Sequence, residues 1–135
     1  MYDARVGRVL LALVIGLGFA GCRGAGAGGW RTYTPDGLAG VTALWAFAPD
    51  DVWAGSQTVV HFDGVTWTQV QTPSTVSVAD FWGLAPDDLY AVAGQRLLHW
   101  DGAAWAVIDF GGAIAPGDLQ AVWGTSDAEL WLGDR

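Results

Sequence analysis

Three stretches of the chain line up in register, and this repetition narrows the possible folds more than any other feature. The first runs LWAFAPDDVWAGSQTVVHFDGVTWTQV from Leu44, the second FWGLAPDDLYAVAGQRLLHWDGAAWAVI from Phe81, and the third VWGTSDAELWLGDR from Val122. Trp45, Trp82 and Trp123 align, as do Trp53, Tyr90 and Trp131, each eight residues further on. His61 aligns with His99, Asp63-Gly64 with Asp101-Gly102, and Trp30 with Trp67 and Trp105. The period is 37 to 38 residues, lengthened to 41 between Trp82 and Trp123 by extra residues around 111–117. Periods of this size belong to solenoids, propellers and related arrays.

The pattern inside each unit selects among these. Apolar residues come in short runs separated by turn residues: 44–47 before Pro49-Asp50-Asp51, 52–54 before Gly55-Ser56, Val59–Phe62 before Asp63-Gly64, and 65–70 before Thr72-Pro73. No run holds a 3.6-residue period long enough for a helix. Trp, Val, Tyr, Phe and Thr dominate, and they favour a pleated, half-buried surface. Asp-Gly is a hairpin signal, because the two central residues of a type I′ turn need positive φ. Residues 59–62 and 65–70 therefore read as one hairpin, and 97–100 and 104–108 as another. Pro49 and Pro86 suit the loops between the first two strands, where no ladder donor is lost. Four short antiparallel strands per unit match the blade of a β-propeller. Helical repeats of similar length need long helices, and a parallel β-helix has shorter rungs.

The unit resembles a β-propeller repeat found in many secreted and lipid-anchored bacterial proteins, with the pattern W-G-x-x-P-x-D-V-W-A-V-G followed by H-[WFY]-D-G-x-x-W. The second unit carries it best, in Trp82-Gly83, Pro86, Asp88-Leu89-Tyr90-Ala91-Val92 and His99-Trp100-Asp101-Gly102 with Trp105. The resemblance covers residues 30–135 and implies a propeller scaffold without a shared catalytic set. The expected fold is all-β, a propeller-like array of four-stranded antiparallel blades. It divides into a last strand of one unit at 30–37 (Trp30 to Thr34), repeats at 38–74 and 75–116, and a partial repeat at 117–135. That is about three blades' worth, against about 4–8 in closed rings. The expectation is therefore a fragment or truncated frame, or else a ring completed by self-association.

The first thirty residues read as an address. Arg5 and Arg8 precede an apolar run, VLLALVIGLGF at 9–19, which small residues follow; this is the plan of a secretory signal. The run is shorter than the roughly 20 residues that span a bilayer. Phe19-Ala20-Gly21-Cys22 resembles the lipobox of bacterial lipoproteins, which implies cleavage after residue 21 and lipidation of Cys22. Phe19 and Asp3 depart from the usual pattern, and an ordinary signal peptide with an incidental cysteine is the alternative. Arg23, where inner-membrane lipoproteins of many Gram-negative bacteria carry Asp, implies sorting to the outer membrane or cell surface. Residues 23–29, RGAGAGG, read as a tether that packs nothing. The segments are thus 1–21 signal peptide, 22–29 lipidated cysteine and tether, and 30–135 repeats.

Composition limits the partners. With 52% hydrophobic and 15% charged residues, the chain is too apolar for disorder. The formal charge of −8, with Arg as the only strong base, offers no basic patch for nucleic acid. Membrane attachment is therefore expected through a lipid anchor alone. One cysteine makes neither an internal disulfide nor a Cys-rich zinc site.

Residues capable of chemistry recur instead of standing alone. His61 and His99 suit metal or general-base roles, but each fills the same slot in its unit, which favours a hydrogen bond that braces the hairpin. Asp50-Asp51 and Asp87-Asp88 read as turn caps ahead of calcium ligands, whose loop spacing they lack. The tryptophans read as packing between neighbouring units ahead of stacking on sugars. No phosphate loop, nucleophile elbow or zinc-protease motif is present, and no cofactor is expected. The expected function is a non-enzymatic binding or structural module with a protein or glycan partner, bound through loops at one end of the array. An N-terminal fragment of a propeller hydrolase or lyase, or a gene remnant without function, stands as the alternative.

Overall fold

The structure, a computed structural model, describes residues 32, 33, 35–75, 77–110 and 117–135. Ten strands and no helix make up these residues. Strands β1 (Ala43–Ala48), β2 (Asp51–Gly55), β3 (Val59–Phe62) and β4 (Trp67–Val70) form an antiparallel meander, sheet A. Strands β5 (Val78–Ala85), β6 (Asp88–Ala93), β7 (Arg96–Trp100) and β8 (Trp105–Ile108) repeat it as sheet B. Strands β9 (Leu119–Ser126) and β10 (Glu129–Asp134) form a two-stranded sheet C. None of the three sheets closes on itself. Trp30, Cys22, the signal segment and the tether lie outside the described residues. Thr32 and Tyr33, in the segment expected to be a strand, lie outside any strand.

Both hairpins form where Asp-Gly foretold them, but the turn register differs from the expected one. The last strand pair is Phe62↔Trp67, and the Asp63 N–H donates to the Thr66 carbonyl at 3.2 Å. Asp63 is thus the first corner, and Gly64 and Val65 are central. The Asp63 carboxylate accepts N–H bonds from Val65 at 2.9 Å and Thr66 at 2.8 Å, which holds the aspartate outside the centre. Asp101 repeats this with Ala103 and Ala104, at 2.9 and 2.8 Å. Gly64 and Gly102 take φ of 90° and 89°, at the first central position where a type II′ turn needs glycine. A side chain there would also meet Asp50 Cβ or Asp87 Cβ at 2.9 Å.

The sheets pack face to face, each in the same way on the next. Trp53, Val59 and Ala43 on sheet A meet Phe81, Leu89, Ala91, Leu98 and Trp105 on sheet B. Trp82, Tyr90, Val92 and Leu97 on the other face of sheet B meet Leu119 and Val122, with Leu130 and Leu132 alongside, on sheet C. Period-2 alternation makes this possible, because both faces of sheet B are apolar. Glycine sets the close approach: a Cβ at Gly83 would lie 2.5 Å from Phe47, and one at Gly124 would lie 3.0 Å from Trp82. The crossovers repeat as well. Val78 N–H donates to the Ser56 carbonyl at 2.8 Å, and Leu119 N–H to the Gly94 carbonyl at 2.7 Å.

Candidate functional site

Each sequence-singled residue has a place in this stack. Trp53 pairs across the strands with His61, and Tyr90 with His99. The His61 ring stacks on Trp53 at 4.4 Å, and the His99 ring lies over Tyr90 at 4.6 Å. In each case Nε2 bonds a carboxylate: Asp51 Oδ1 for His61 and Asp88 Oδ1 for His99, both at 2.8 Å. Asp51 and Asp88 are therefore histidine partners instead of the expected turn caps. They sit two residues before the aromatic on the same strand face, so the pairing register brings carboxylate, imidazole and ring together. The imidazoles and carboxylates remain about a quarter exposed, at 30% with 22% and 30% with 27%. Burial holds the Tyr90 hydroxyl above its usual range, and the charges on Asp88 and Asp127 add to this.

The third unit departs from the scheme. Glu129 occupies the slot of Asp51 and Asp88, and it accepts a hydrogen bond from Thr125 Oγ1 at 2.9 Å. Asp80 also breaks the repeat, with Ala43 and Ala121 at the matching positions. It sits at an irregularity in β5, where one carboxylate oxygen accepts from Phe81 N–H at 2.9 Å and the other from Val122 N–H at 3.1 Å. It ties sheet C to sheet B.

The aligned tryptophans differ most. Trp53 is 1% exposed, and its ring meets Trp100 at 5.1 Å and Trp105 at 5.7 Å from the neighbouring sheet. Trp82 is 6% exposed beneath sheet C. Trp123 and Trp131, cross-strand partners at the same repeat positions, are 58% and 63% exposed. They occupy the face of sheet C that corresponds to the covered faces of sheets A and B. An exposed aromatic pair of this size is the kind of surface that marks a protein contact. Among the described residues, the indole N–H groups of Trp45, Trp53, Trp67 and Trp105 are buried without an acceptor. Their rings, rather than their donors, hold the stack.

Two adjoining open clefts of about 540 and 360 Å³ lie where the β6–β7 turn meets the crossovers between sheets, and both are bordered by Gly94 and Asp118. Arg96 Nη1 bonds the Pro73 carbonyl at 3.1 Å along the larger cleft. Among the described residues no group of three or more His, Cys, Asp or Glu side chains is placed to hold a metal. Compared with protein-family models, with curated proteins and with solved structures, the chain matches none.

Proposed function

We propose that the chain is an exported module of propeller-type repeats, anchored through lipid on Cys22, that works by association and not by catalysis. The four-stranded meanders stacked through matching faces support the propeller-type reading. The observation that carries the functional reading is the double use of the Trp/Tyr–His–Asp set. Trp53, His61 and Asp51 make the same contacts as Tyr90, His99 and Asp88, so the histidines and their carboxylates serve the scaffold of each sheet. A partner protein or glycan then has two places to bind: the loop clefts around Gly94 and Asp118, and the Trp123/Trp131 face.

The test is a panel of hydrolase and lyase substrates, run on the purified chain beside a His61→Gln/His99→Gln double variant. The reading expects no turnover from either. Turnover by the native chain would overturn it, whether the double variant keeps or loses that turnover. The anchor is tested separately by fractionation of host cells: Cys22→Ser is expected to leave the membrane fraction, and retention there would refute the lipobox reading.

A further inference from the structure

We propose that Asp36 is a site of spontaneous covalent modification, converting to isoaspartate by attack of the Gly37 amide nitrogen on its side-chain carboxyl. The fold shields the other Asp-Gly pairs of the chain, Asp63-Gly64 and Asp101-Gly102, from the same reaction.

The chemistry needs only the chain and water. The glycine nitrogen bonds to the aspartate Cγ, a Cγ–O bond breaks, and the carboxyl hydroxyl leaves with the amide proton as water. Water then adds to the resulting succinimide. Opening at the main-chain carbonyl leaves the backbone running through the side chain, which is isoaspartate, and opening at Cγ restores aspartate. Nothing is oxidised or reduced. Ring closure is favoured where the following residue has no side chain to crowd the attack, where the carboxyl is free to turn onto its neighbour's nitrogen, and where it takes up the proton that lets water leave.

The first condition is met at every pair, and each glycine takes a positive φ: 78° at Gly37, 90° at Gly64 and 89° at Gly102. The other conditions separate them. Asp63 Oδ1 accepts from the N–H groups of Val65 and Thr66 at 2.9 and 2.8 Å, and Asp101 Oδ1 accepts from those of Ala103 and Ala104 at 2.9 and 2.8 Å. Turning either carboxylate onto its glycine nitrogen gives up both bonds. The same bonds hold both carboxyls below the ordinary 3.8, which depletes the reactive protonated form. The backbone is held as well. Each of these turns lies between paired strands, and a Cβ on its glycine would meet Asp50 Cβ or Asp87 Cβ at 2.9 Å.

Asp36 stands outside these restraints. It is exposed and belongs to no strand, and among the described residues its carboxylate has no hydrogen-bond partner. Its turn is closed by Leu38 N–H donating to the Pro35 carbonyl at 3.4 Å. A Cβ on Gly37 would come no nearer than 3.7 Å to a neighbour, the far end of the Gln69 side chain. The bonds that clasp Asp63 and Asp101 are worth roughly tenfold in the population of the reactive geometry.

The experiment ages the purified chain for weeks in mildly acidic buffer made with heavy-oxygen water, followed by peptide mapping. Each succinimide that reopens takes up a solvent oxygen, and electron-transfer fragmentation distinguishes isoaspartate from aspartate. The chain contains no Asn, so no deamidation product at an Asn-Gly pair enters the map. In the folded chain, isoaspartate at Asp36 is expected to lead Asp63 and Asp101 by roughly tenfold. In guanidinium chloride, where the clasping bonds are gone, the three sites are expected to age at comparable rates. Equal rates in the folded chain would overturn the inference. So would a lead at Asp36 that persists unchanged in guanidinium chloride, because neighbouring sequence and not the fold would then set it.

Discussion

Trp53 and Trp131 hold the same position in the repeat, so replacing each with alanine separates the effect of residue type from the effect of burial. Trp53 is 1% exposed, lies over His61 and touches two tryptophans of the neighbouring sheet. A buried aromatic removes about 150–250 Å² from water, which at roughly 25 cal/mol per Å² is about 4–6 kcal/mol as an upper bound. The vacated cavity adds to the loss, while removal of the unpaired indole N–H, worth about 1–3 kcal/mol, offsets part of it. The net expectation for Trp53→Ala is a loss of about 4 kcal/mol. Trp131 is 63% exposed, so its remaining burial is worth about 1.5–2 kcal/mol. Urea unfolding followed by circular dichroism reads the difference. With a slope of about 2 kcal/mol per molar, the Trp53→Ala midpoint falls by about 2 M and the Trp131→Ala midpoint by about 1 M. Trp53→Phe keeps most of the ring contact, discards the unpaired donor, and is expected to fall between them. Equal midpoint shifts for the two alanine variants would refute the claim that stacking sheets, and not the repeat position itself, decide what a tryptophan contributes.

Three further outcomes are expected. Gly64→Ala and Gly102→Ala combine left-handed φ with a 2.9 Å clash and should each cost about 2 kcal/mol or more by urea unfolding. Gly40→Ala, with φ of 77° and nothing within 4 Å, carries only the strain and should cost about 1 kcal/mol. Hydrogen bonds from Thr66 and Val65 hold the Asp63 carboxyl below its ordinary 3.8, and those from Ala104 and Ala103 do the same for Asp101. Their contribution is fully present above 3.8 and is lost as pH falls through the depressed folded-state values, so acid should loosen the hairpins. The Asp63→Asn/Asp101→Asn double variant keeps the acceptors and should flatten this acid limb in a melting-temperature series. Asp80→Ala removes the acceptor of Val122 N–H, and hydrogen exchange at Val122 is expected to accelerate while Leu98 amide protection is unchanged.

Much of the strand layout can be read from residue order alone, because period-2 alternation and Asp-Gly punctuation are local. Val59–Phe62 forms as the apolar run indicates, and the runs around Trp45, Trp53 and Trp105 lie on strands within a residue or two of the expected limits. The turn register was not readable: Asp63 is drawn to the corner by two backbone N–H groups, a competition that composition does not reveal. The His61–Asp51 and His99–Asp88 bonds depend on cross-strand register. A signal was nonetheless available, since histidine and aspartate recur together, at nearly the same spacing, in both full units. The contrast between buried Trp53 and bare Trp131 lies beyond any single segment, because it depends on whether another sheet arrives. Asp80 differs from the alanines at its repeat positions by one substitution, and only the bulge turns that substitution into a bridge.

The stacking of repeat units through matching faces is tested most directly by nuclear Overhauser contacts between aromatic protons in the purified chain. Trp53 is expected to show cross-peaks to His61 within its own sheet and to Trp100 and Trp105 of the next, at the spacing set by ring centroids of 4.4, 5.1 and 5.7 Å. A spectrum in which Trp53 meets His61 but neither Trp100 nor Trp105 would leave the meander intact and contradict the stack.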